Sequence, residues 1–298
     1  MSYIDIYEIG ENPEAGRTQV CGIIGDPIAH TISPAMHNAA FENLGLEYTY
    51  VPFRVKKEDL GRAIAGVKAL NIRGLNVTIP HKIEVMSLLD EIDPLAEKIG
   101  AVNTILNDEG ILKGFNTDAA GFLKALLAAK VKPGKKDFVI LGAGGAARAV
   151  AFILADQGAN LTVLNRHPQA AGQLTARIFQ LFRRKVEALE LNRANLKAAL
   201  NEAEVLVNTT SLGMAPETEA TPVPAGLIKP GLVVFDIIYN PPQTRLLCEA
   251  EKRGAKTIGG MEMLVWQGAA AFELWTGHRA PVPVMRTAAM RALGFHED

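Results

Sequence analysis

A glycine-rich turn between an apolar strand and a helix is the feature that most constrains the fold of this chain. Residues 138–166, FVILGAGGAARAVAFILADQGANLTVLNR, predict a strand, a turn, a helix, a turn and a second strand in succession. Gly142, Gly144 and Ala147 fit the spacing GxGxxG/A, in which the first glycine permits the tight turn and the second lets backbone amides approach a pyrophosphate. Since the helix that follows would present its positive end to phosphates, the segment predicts a dinucleotide-binding βαβ unit.

Strands and helices alternate along the rest of the chain. Before the glycine-rich turn the sequence predicts, in chain order, strand 19–25, helix 33–45, strand 48–55, helix 57–70, strand 74–79, helix 82–89 and helix 118–130. After it, further strands are predicted at 204–209, 232–237 and 256–258. Such alternation builds parallel sheets with helices on their faces. We therefore predict the α/β class with two domains, one formed by residues 1–117 plus 265–298 and the other by residues 118–264.

Composition excludes several classes of function. Lys and Arg total 31 against 32 Asp and Glu, so no global field attracts nucleic acid or an anionic membrane. The N-terminus lacks a basic start followed by an apolar core, and no apolar run of about 18 residues occurs, which predicts a cytoplasmic protein without a membrane span. The 2 cysteines and 6 histidines show no zinc-binding spacing, so we predict no metal site.

The end of the second strand in the glycine-rich unit bears on the choice of cofactor. Enzymes that prefer NAD usually place an acid there to bond the ribose 2′-hydroxyl. Here the position reads Asn165-Arg166-His167, and a guanidinium can hold a 2′-phosphate by charge-assisted hydrogen bonds. This favours NADP, the alternative being that Arg166 is an ordinary solvated surface residue.

A set of short motifs along nearly the whole chain resembles the shikimate dehydrogenase family. In chain order they are HTISPAMHN (30–38), GLNVTIPHK (74–82), GAVNT (100–104), FNTDAAG (115–121), GAGGAARA (142–149), NTTSLGM (208–214), DIIYNP (236–241) and MLVWQ (263–267). The resemblance implies an N-terminal α/β substrate-binding domain and a Rossmann-like NADP-binding domain. It also implies reversible NADPH-dependent reduction of 3-dehydroshikimate to shikimate in chorismate and aromatic amino acid biosynthesis.

Site residues follow from the same resemblance. It implies a catalytic pair, Lys82 and Asp118, in which the ammonium would donate a proton to the developing alkoxide. The substrate would be bound by Thr31, Ser33, Asn76, Thr78, Lys82, Asn103, Asp118, Tyr239 and Gln267. The cofactor would be bound by Gly142, Ala143, Gly144, Gly145, Ala146, Asn165, Arg166, His167, Thr209, Ser211, Met214, Ile237, Gly260 and Met263. Hydroxyl and amide side chains suit a substrate that carries a carboxylate and several hydroxyls.

Several alternatives stay open at this point. Taken alone, Lys82 reads as a surface helix residue, Asp118 as a helix cap and Asn103 as a turn former. Two rival functions are a quinate/shikimate dehydrogenase that prefers NAD and a non-catalytic dinucleotide-binding regulatory paralogue. The expected partner is a small-molecule substrate, with no nucleic acid and no membrane, and the resemblance leaves a homodimer open.

The chain also departs from the family pattern. Thr31 stands where the family more often has serine, and His167 follows Arg166 where a hydroxyl residue is common in NADP-preferring members. Glu262 occupies a position where glycine is common, and the sequence alone gives no physical reason for it. An extension, residues 1–17, precedes the motifs and carries no readable function.

Overall fold

Over the residues that the structure describes, the protein forms two six-stranded sheets with helices packed on them. The structure is a computed structural model that describes residues 18–295. The N-terminal extension noted above and residues 296–298 lie outside the described residues. Within residues 18–295, no helix is long and apolar enough to cross a membrane.

The first sheet lies in the N-terminal half of the chain. Its strands are β1 (Gln19–Gly25), β2 (Tyr48–Arg54), β3 (Gly74–Val77), β4 (Glu91–Ile92), β5 (Thr104–Asp108) and β6 (Ile111–Phe115). Their order is β2-β1-β3-β5-β6-β4. The first three strands are parallel, but β5 runs antiparallel to both β3 and β6. The parallel arrangement predicted for β1, β2 and β3 is therefore confirmed. The sheet as a whole is mixed, because β5 and β6, which the sequence analysis did not predict, form a hairpin through a tight turn with positive φ at Glu109 and Gly110.

Four helices belong to the same half of the chain, α1 (Ser33–Asn43), α2 (Leu60–Ala69), α3 (Pro94–Ile99) and α4 (Asp118–Ala128). The last of them, α4, packs in the core of the second sheet. The helix predicted at 82–89 is instead a 3₁₀ helix at Glu84–Leu88. The carbonyl of Lys82 accepts from the amide of Val102 at 2.8 Å, so it is not available to begin an α-helical ladder.

The second sheet is parallel throughout and contains the predicted βαβ unit. Its strands are β7 (Asp137–Leu141), β8 (Asn160–Asn165), β9 (Glu187–Glu190), β10 (Val205–Asn208), β11 (Val233–Asp236) and β12 (Lys256–Ile258). Its helices are α5 (Gly145–Asp156), α6 (Pro168–Phe182), α7 (Arg193–Glu202) and α8 (Arg245–Lys252). The order β12-β11-β10-β7-β8-β9 reverses direction between β7 and β10, and open α/β sheets bind ligands at such a reversal.

Two C-terminal helices complete the fold, α9 (Met261–Thr276) and α10 (Val282–Ala292). Met263, in the first turn of α9, belongs to the same core as helices α4 and α5. Phe272 and Trp275, near its other end, belong to the core that contains α1 and α10. The indole of Trp275 is fully buried and donates to the carbonyl of Ile105 at 2.9 Å. Helix α9 therefore contributes to the cores of both sheets.

Candidate active site

Two hydroxyl side chains lie where the chain passes from β1 into α1. The Thr31 hydroxyl donates to Ser33 Oγ at 3.2 Å, and the Ser33 amide donates to Thr31 Oγ1 at 3.3 Å. Ser33 is buried, and the first turn of α1 holds no acidic residue. Backbone amides at a helix N-terminus favour an anion, so the two hydroxyls and this helix end suit a carboxylate.

Lys82 and Asp118 meet in a buried ion pair. They are 36 residues apart in sequence, yet Lys82 Nζ lies 2.5 Å from Asp118 Oδ2. Their side chains are only 14% and 5% exposed, which strengthens the attraction relative to a solvated pair. Lys82 follows β3 and Asp118 begins α4, so two separate elements place the two charges together. The structure thus brings the predicted pair within reach of direct proton transfer.

The second oxygen of the Asp118 carboxylate is anchored by Asn103. Asn103 Nδ2 donates to Asp118 Oδ1 at 2.8 Å and to Thr117 Oγ1 at 2.9 Å. It also approaches Gln267 Oε1 at 3.3 Å, and the Gln267 amide donates to the Leu264 carbonyl at 2.9 Å. Both oxygens of Asp118 therefore have partners, and Asn103, Asp118 and Gln267 form one polar cluster.

Three other residues are predicted to bind the substrate. Asn76 is buried in β3 and donates to Thr104 Oγ1 at 3.2 Å, because Thr104 lies opposite Asn76 in the antiparallel register. Thr78 follows β3 and is half-buried against Gly25, where an added Cβ would lie 2.4 Å from the Thr78 methyl. Tyr239 follows β11, and burial raises the pKa of its hydroxyl, which stays protonated.

The glycine-rich turn leaves open space at the carboxyl end of β7. Gly142 has a φ of +110°, and a Cβ there would lie 2.6 Å from Thr209 Oγ1, so only glycine fits without strain. Ala143 is buried, whereas Gly144 caps α5 and has no heavy atom within 4 Å of an added Cβ. Open space at Gly144 in front of a helix N-terminus fits the approach of a dinucleotide pyrophosphate, and the small side chain of Ala146 on the first turn of α5 fits it as well.

A basic corner follows β8. Asn165 Nδ2 donates to the carbonyl of His167, the residue that caps α6, at 3.1 Å. Arg166 and His167 are exposed, and the first turn of α6 holds no acidic residue. The exposed side chain of Arg166 beside a helix N-terminus fits a 2′-phosphate, so the donor set suits NADP.

The remaining predicted cofactor residues lie at the same edge of the second sheet. Ser211 and Met214 lie in the loop after β10, and Ile237 follows β11. Gly260 precedes α9, and a Cβ there would lie 2.1 Å from the Ile237 carbonyl oxygen. Met263 is buried in the first turn of α9. Their direct contact with a cofactor stays a prediction.

The two halves of the site meet at Lys82 and Gly145. A Cβ built on Gly145, the first residue of α5, would lie 2.7 Å from Lys82 Cβ and 3.0 Å from its Cδ. The aliphatic part of the Lys82 side chain therefore lies against the start of α5, the helix that follows the glycine-rich turn. This contact joins the ion pair to the cofactor side of the site.

Glu262 has a structural role that the sequence did not reveal. Its carboxylate accepts from Arg286 Nε at 2.7 Å and from Nη2 at 2.9 Å, and this bond raises the pKa of the arginine. The bidentate pair ties the first turn of α9 to α10.

Sequence reasoning missed Tyr50, Thr104 and Thr117, whose hydroxyls hydrogen-bond to the predicted residues Asn76 and Asn103. Thr117 and Thr104 stand in two of the motifs, next to Asp118 and Asn103, which is the signal that could have found them. Tyr50 stands in no motif, and only the pairing of β2 with β1 and of β1 with β3 places it near Asn76. Within residues 18–295, no three His, Cys, Asp or Glu side chains are grouped so as to hold a metal ion.

Comparisons with known proteins match this architecture along the chain. A model of the shikimate dehydrogenase substrate-binding domain matches residues 23–105. A model of shikimate/quinate 5-dehydrogenase matches residues 126–237, and one of the shikimate 5′-dehydrogenase C-terminal domain matches residues 260–290. The shikimate dehydrogenase (NADP⁺) of Dehalococcoides mccartyi strain CBDB1 is 50% identical over 93% of this chain and 96% of its own length.

Solved structures agree with these sequence matches. A crystal structure of a shikimate dehydrogenase in complex with NADP⁺ superposes with a TM-score of 0.86 at 45% identity, covering 93% of this chain and 96% of its own. The Thermus thermophilus shikimate 5-dehydrogenase in complex with NADP(H) and shikimate gives 0.82 at 42% identity, covering 93% and 100%.

Proposed function

This chain belongs to the shikimate dehydrogenase family, and we propose on that premise that it catalyses the reversible NADPH-dependent reduction of 3-dehydroshikimate to shikimate in chorismate and aromatic amino acid biosynthesis. The observation that carries the proposal is the buried Lys82–Asp118 pair, with Nζ and Oδ2 2.5 Å apart, beside the cofactor cradle. A reduction of this kind needs a proton donor next to the hydride path, and the pair supplies one.

Substrate binding uses the polar groups around the ion pair. Thr31 and Ser33 hold the substrate carboxylate at the start of α1. The amides of Asn76, Asn103 and Gln267 and the hydroxyl of Thr78 hold the ring hydroxyls, because amides both donate and accept. A ligand that lacks a hydroxyl leaves one of these buried groups without a partner, at a cost of about 1–3 kcal/mol.

The proton needed for reduction comes from Lys82. NADPH, when bound at the glycine-rich turn, supplies the hydride. The Lys82 ammonium stabilises negative charge on the reacting oxygen and donates its proton there, and Asp118 orients the ammonium. In the oxidative direction the amine must be neutral, whereas the carboxylate favours its charged form. We therefore assign the pair to orienting the hydroxyl and shuttling its proton rather than to a permanently neutral lysine.

NADP is the cofactor that the site favours over NAD. Asn165, Arg166 and the N-terminus of α6 form a corner with an exposed guanidinium and without a carboxylate in the first helical turn. An acid at this corner would bond a ribose 2′-hydroxyl, and its absence leaves room for a 2′-phosphate. This arrangement speaks against the NAD-preferring rival.

The division into domains at residues 118 and 265 is part of the proposal. Phe122, Ala125 and Leu126 of α4 share a core with β7 and α5, which supports starting the cofactor domain at 118. Val265 and Ala269 of α9 share a core with α1 and α10, which supports returning the chain to the substrate domain at 265.

Self-association as a homodimer and a cytoplasmic location complete the proposal. A groove of about 650 Å³ between α1 and α10 is lined mainly by small apolar side chains. A second copy could cover such a surface, and light scattering that gives the monomer mass at every concentration would contradict a dimer.

Cys21 and Cys248 are free thiols, which suits a reducing compartment, and fractionation of the native host tests the location.

Initial rates at the nicotinamide absorbance band test the activity. Shikimate or quinate is paired with NADP or NAD, and we expect fast turnover only with shikimate and NADP. Lys82→Ala should lower kcat by about 10²–10⁴-fold, the usual worth of general acid–base catalysis. Lys68→Ala is the matched control, because Lys68 pairs with Asp90 at 2.7 Å on the exposed surface.

Each other outcome of these rates points to a rival. A preference for quinate and NAD would indicate the quinate/shikimate dehydrogenase. Binding of the cofactor without turnover of either substrate would indicate the regulatory paralogue. Near wild-type turnover by Lys82→Ala would overturn the assignment of the lysine.

A further inference from the structure

The hydroxyl of Tyr50 lies behind the substrate site rather than in it. Tyr50 belongs to β2, is 1% exposed, and donates to Asn76 Oδ1 at 2.7 Å. This buried hydroxyl therefore contacts a residue that is assigned to the ring hydroxyls of the substrate.

From Asn76 the hydrogen bonds continue to the ion pair. With its oxygen facing Tyr50, the Asn76 amide donates through Nδ2 to Thr104 Oγ1 at 3.2 Å. Thr104 in turn donates to Asn103 Oδ1 at 3.2 Å, and Asn103 Nδ2 donates to Asp118 Oδ1 at 2.8 Å. A carboxylate has no hydrogen to donate, so the chain of donors ends at Asp118.

The direction of this chain is set at its first member. A tyrosine hydroxyl has a single hydrogen, and the 2.7 Å bond commits it to Asn76 Oδ1. The oxygen and nitrogen ends of an amide differ only by a 180° rotation. This bond therefore fixes which end Asn76 presents to Thr104, together with the bond that Asn76 Nδ2 donates to the Asn103 carbonyl at 3.3 Å. Burial raises the pKa of Tyr50 well above 10, so the hydroxyl remains a donor at every working pH.

The ring of Tyr50 is held rigidly in place. His37 stacks on it with ring centroids 4.4 Å apart and planes 9° apart, and Trp275 lies at 5.9 Å on the same cluster. The backbone of Tyr50 is bracketed by Asn38, which accepts from its amide at 2.7 Å and donates to its carbonyl at 3.0 Å. The hydroxyl therefore has a defined position before any substrate arrives.

We propose that Tyr50 is a positioning residue for substrate binding, which orients Asn76 at the start of a buried hydrogen-bond chain that runs by way of Thr104 to Asp118. The proposal rests on the proposed function, since that function assigns Asn76 to the substrate. It predicts a specific kinetic signature. The substrate contact weakens without Tyr50, but Asn103 keeps its orientation because the Thr117 amide still donates to its oxygen at 2.7 Å.

Tyr50→Phe is the test, since it removes one oxygen and keeps the stacked ring. We expect KM for shikimate to rise about tenfold, because one buried hydrogen bond contributes about a factor of ten in affinity. The value of kcat should stay within about twofold of wild type, and KM for NADP should not change. Tyr48→Phe is the matched control, because Tyr48 is on the same strand and its hydroxyl reaches only the Trp275 carbonyl, at 3.4 Å. An unchanged KM in Tyr50→Phe overturns the proposal.

Thr104 supplies a second and independent variant. Thr104→Val keeps the shape and removes the hydroxyl, so it should also raise KM for shikimate, whereas Thr104→Ser should retain the wild-type value. Because both changes interrupt one chain, Tyr50→Phe combined with Thr104→Val should raise KM about as much as either alone. A double variant whose KM rises by the product of the two single effects would show two independent sites and contradict the chain.

These outcomes separate the proposal from the function on which it rests. If wild type and Tyr48→Phe do not turn over shikimate, the proposed function fails. If both turn over shikimate normally and Tyr50→Phe does so with the same KM, only the positioning role fails. Thermal unfolding of each variant identifies a general loss of structure, which would lower the apparent kcat by reducing the active fraction and would leave both Michaelis constants unchanged.

Discussion

Gly145→Ala tests the contact between Lys82 and the start of α5. The added methyl would lie 2.7 Å from Lys82 Cβ and 3.0 Å from Lys82 Cδ. Carbon atoms in contact are ordinarily about 3.5–4.0 Å apart, so either the lysine stem or the start of α5 must move by about 1 Å. Displacement of a catalytic group by this amount costs about 100-fold in rate, which corresponds to about 2.7 kcal/mol of barrier.

The expected result is a fall in kcat of about 100-fold at saturating shikimate and NADP, measured as initial rates at the nicotinamide absorbance band. Overpacking should also lower the free energy of unfolding by about 1–3 kcal/mol, which thermal unfolding would detect. A crystal structure of the variant should show the Lys82 Nζ to Asp118 Oδ2 distance longer than the 2.5 Å of the wild-type chain.

Gly144→Ala is the matched control, one residue earlier in the same turn. Gly144 has φ −79° and ψ −169°, which any residue adopts, and an added methyl meets no atom within 4 Å. The methyl would enter the space in which backbone amides approach the pyrophosphate, so KM for NADP should rise while kcat at saturation stays near wild type. If Gly145→Ala showed wild-type kcat, the lysine stem would not lie against α5 in the working enzyme and the reasoning would be refuted.

Three further changes test other parts of the structure. Arg166→Ala should raise KM for NADP about 10–100-fold and leave KM for NAD unchanged, because only NADP carries the phosphate that the guanidinium would bind. Glu262→Ala should lower the melting temperature by about 1–3 °C at unchanged kcat, since its pair with Arg286 is partly exposed; the loss should shrink at high salt. Burial lowers the pKa of His37 from 6.5 to about 3. Between these pH values the unfolded chain binds a proton at His37 and the folded chain does not, so the free energy of unfolding falls as the pH drops from about 6.5 towards 3. In His37→Phe, chemical denaturation should show a smaller fall over this range; an equal fall would exclude His37 as a source.

Local patterns predict the parts of the fold that local physics determines. Strand 19–25 agrees with β1 residue for residue, because an apolar run bounded by polar positions pairs on both sides in a buried sheet. The glycine-rich turn agrees as well, since glycine at a φ of +110° cannot be replaced without strain. The antiparallel hairpin of β5 and β6 was missed, although Glu109-Gly110 is a turn signal of the kind that joins antiparallel strands.

The candidate site divides in the same way. Lys82 follows β3 and Asp118 begins α4, and both stand in motifs that are visible in the sequence. The buried hydroxyls depend instead on register: Tyr50 lies beside Cys21, Cys21 lies beside Gly74, and Asn76 is two residues further along on the same face. A one-residue slip of β2 would turn Tyr50 away from Asn76 and leave every motif intact. The residues predicted to contact a ligand therefore come from a family pattern, whereas those proposed to orient them require the pairing of strands far apart in sequence.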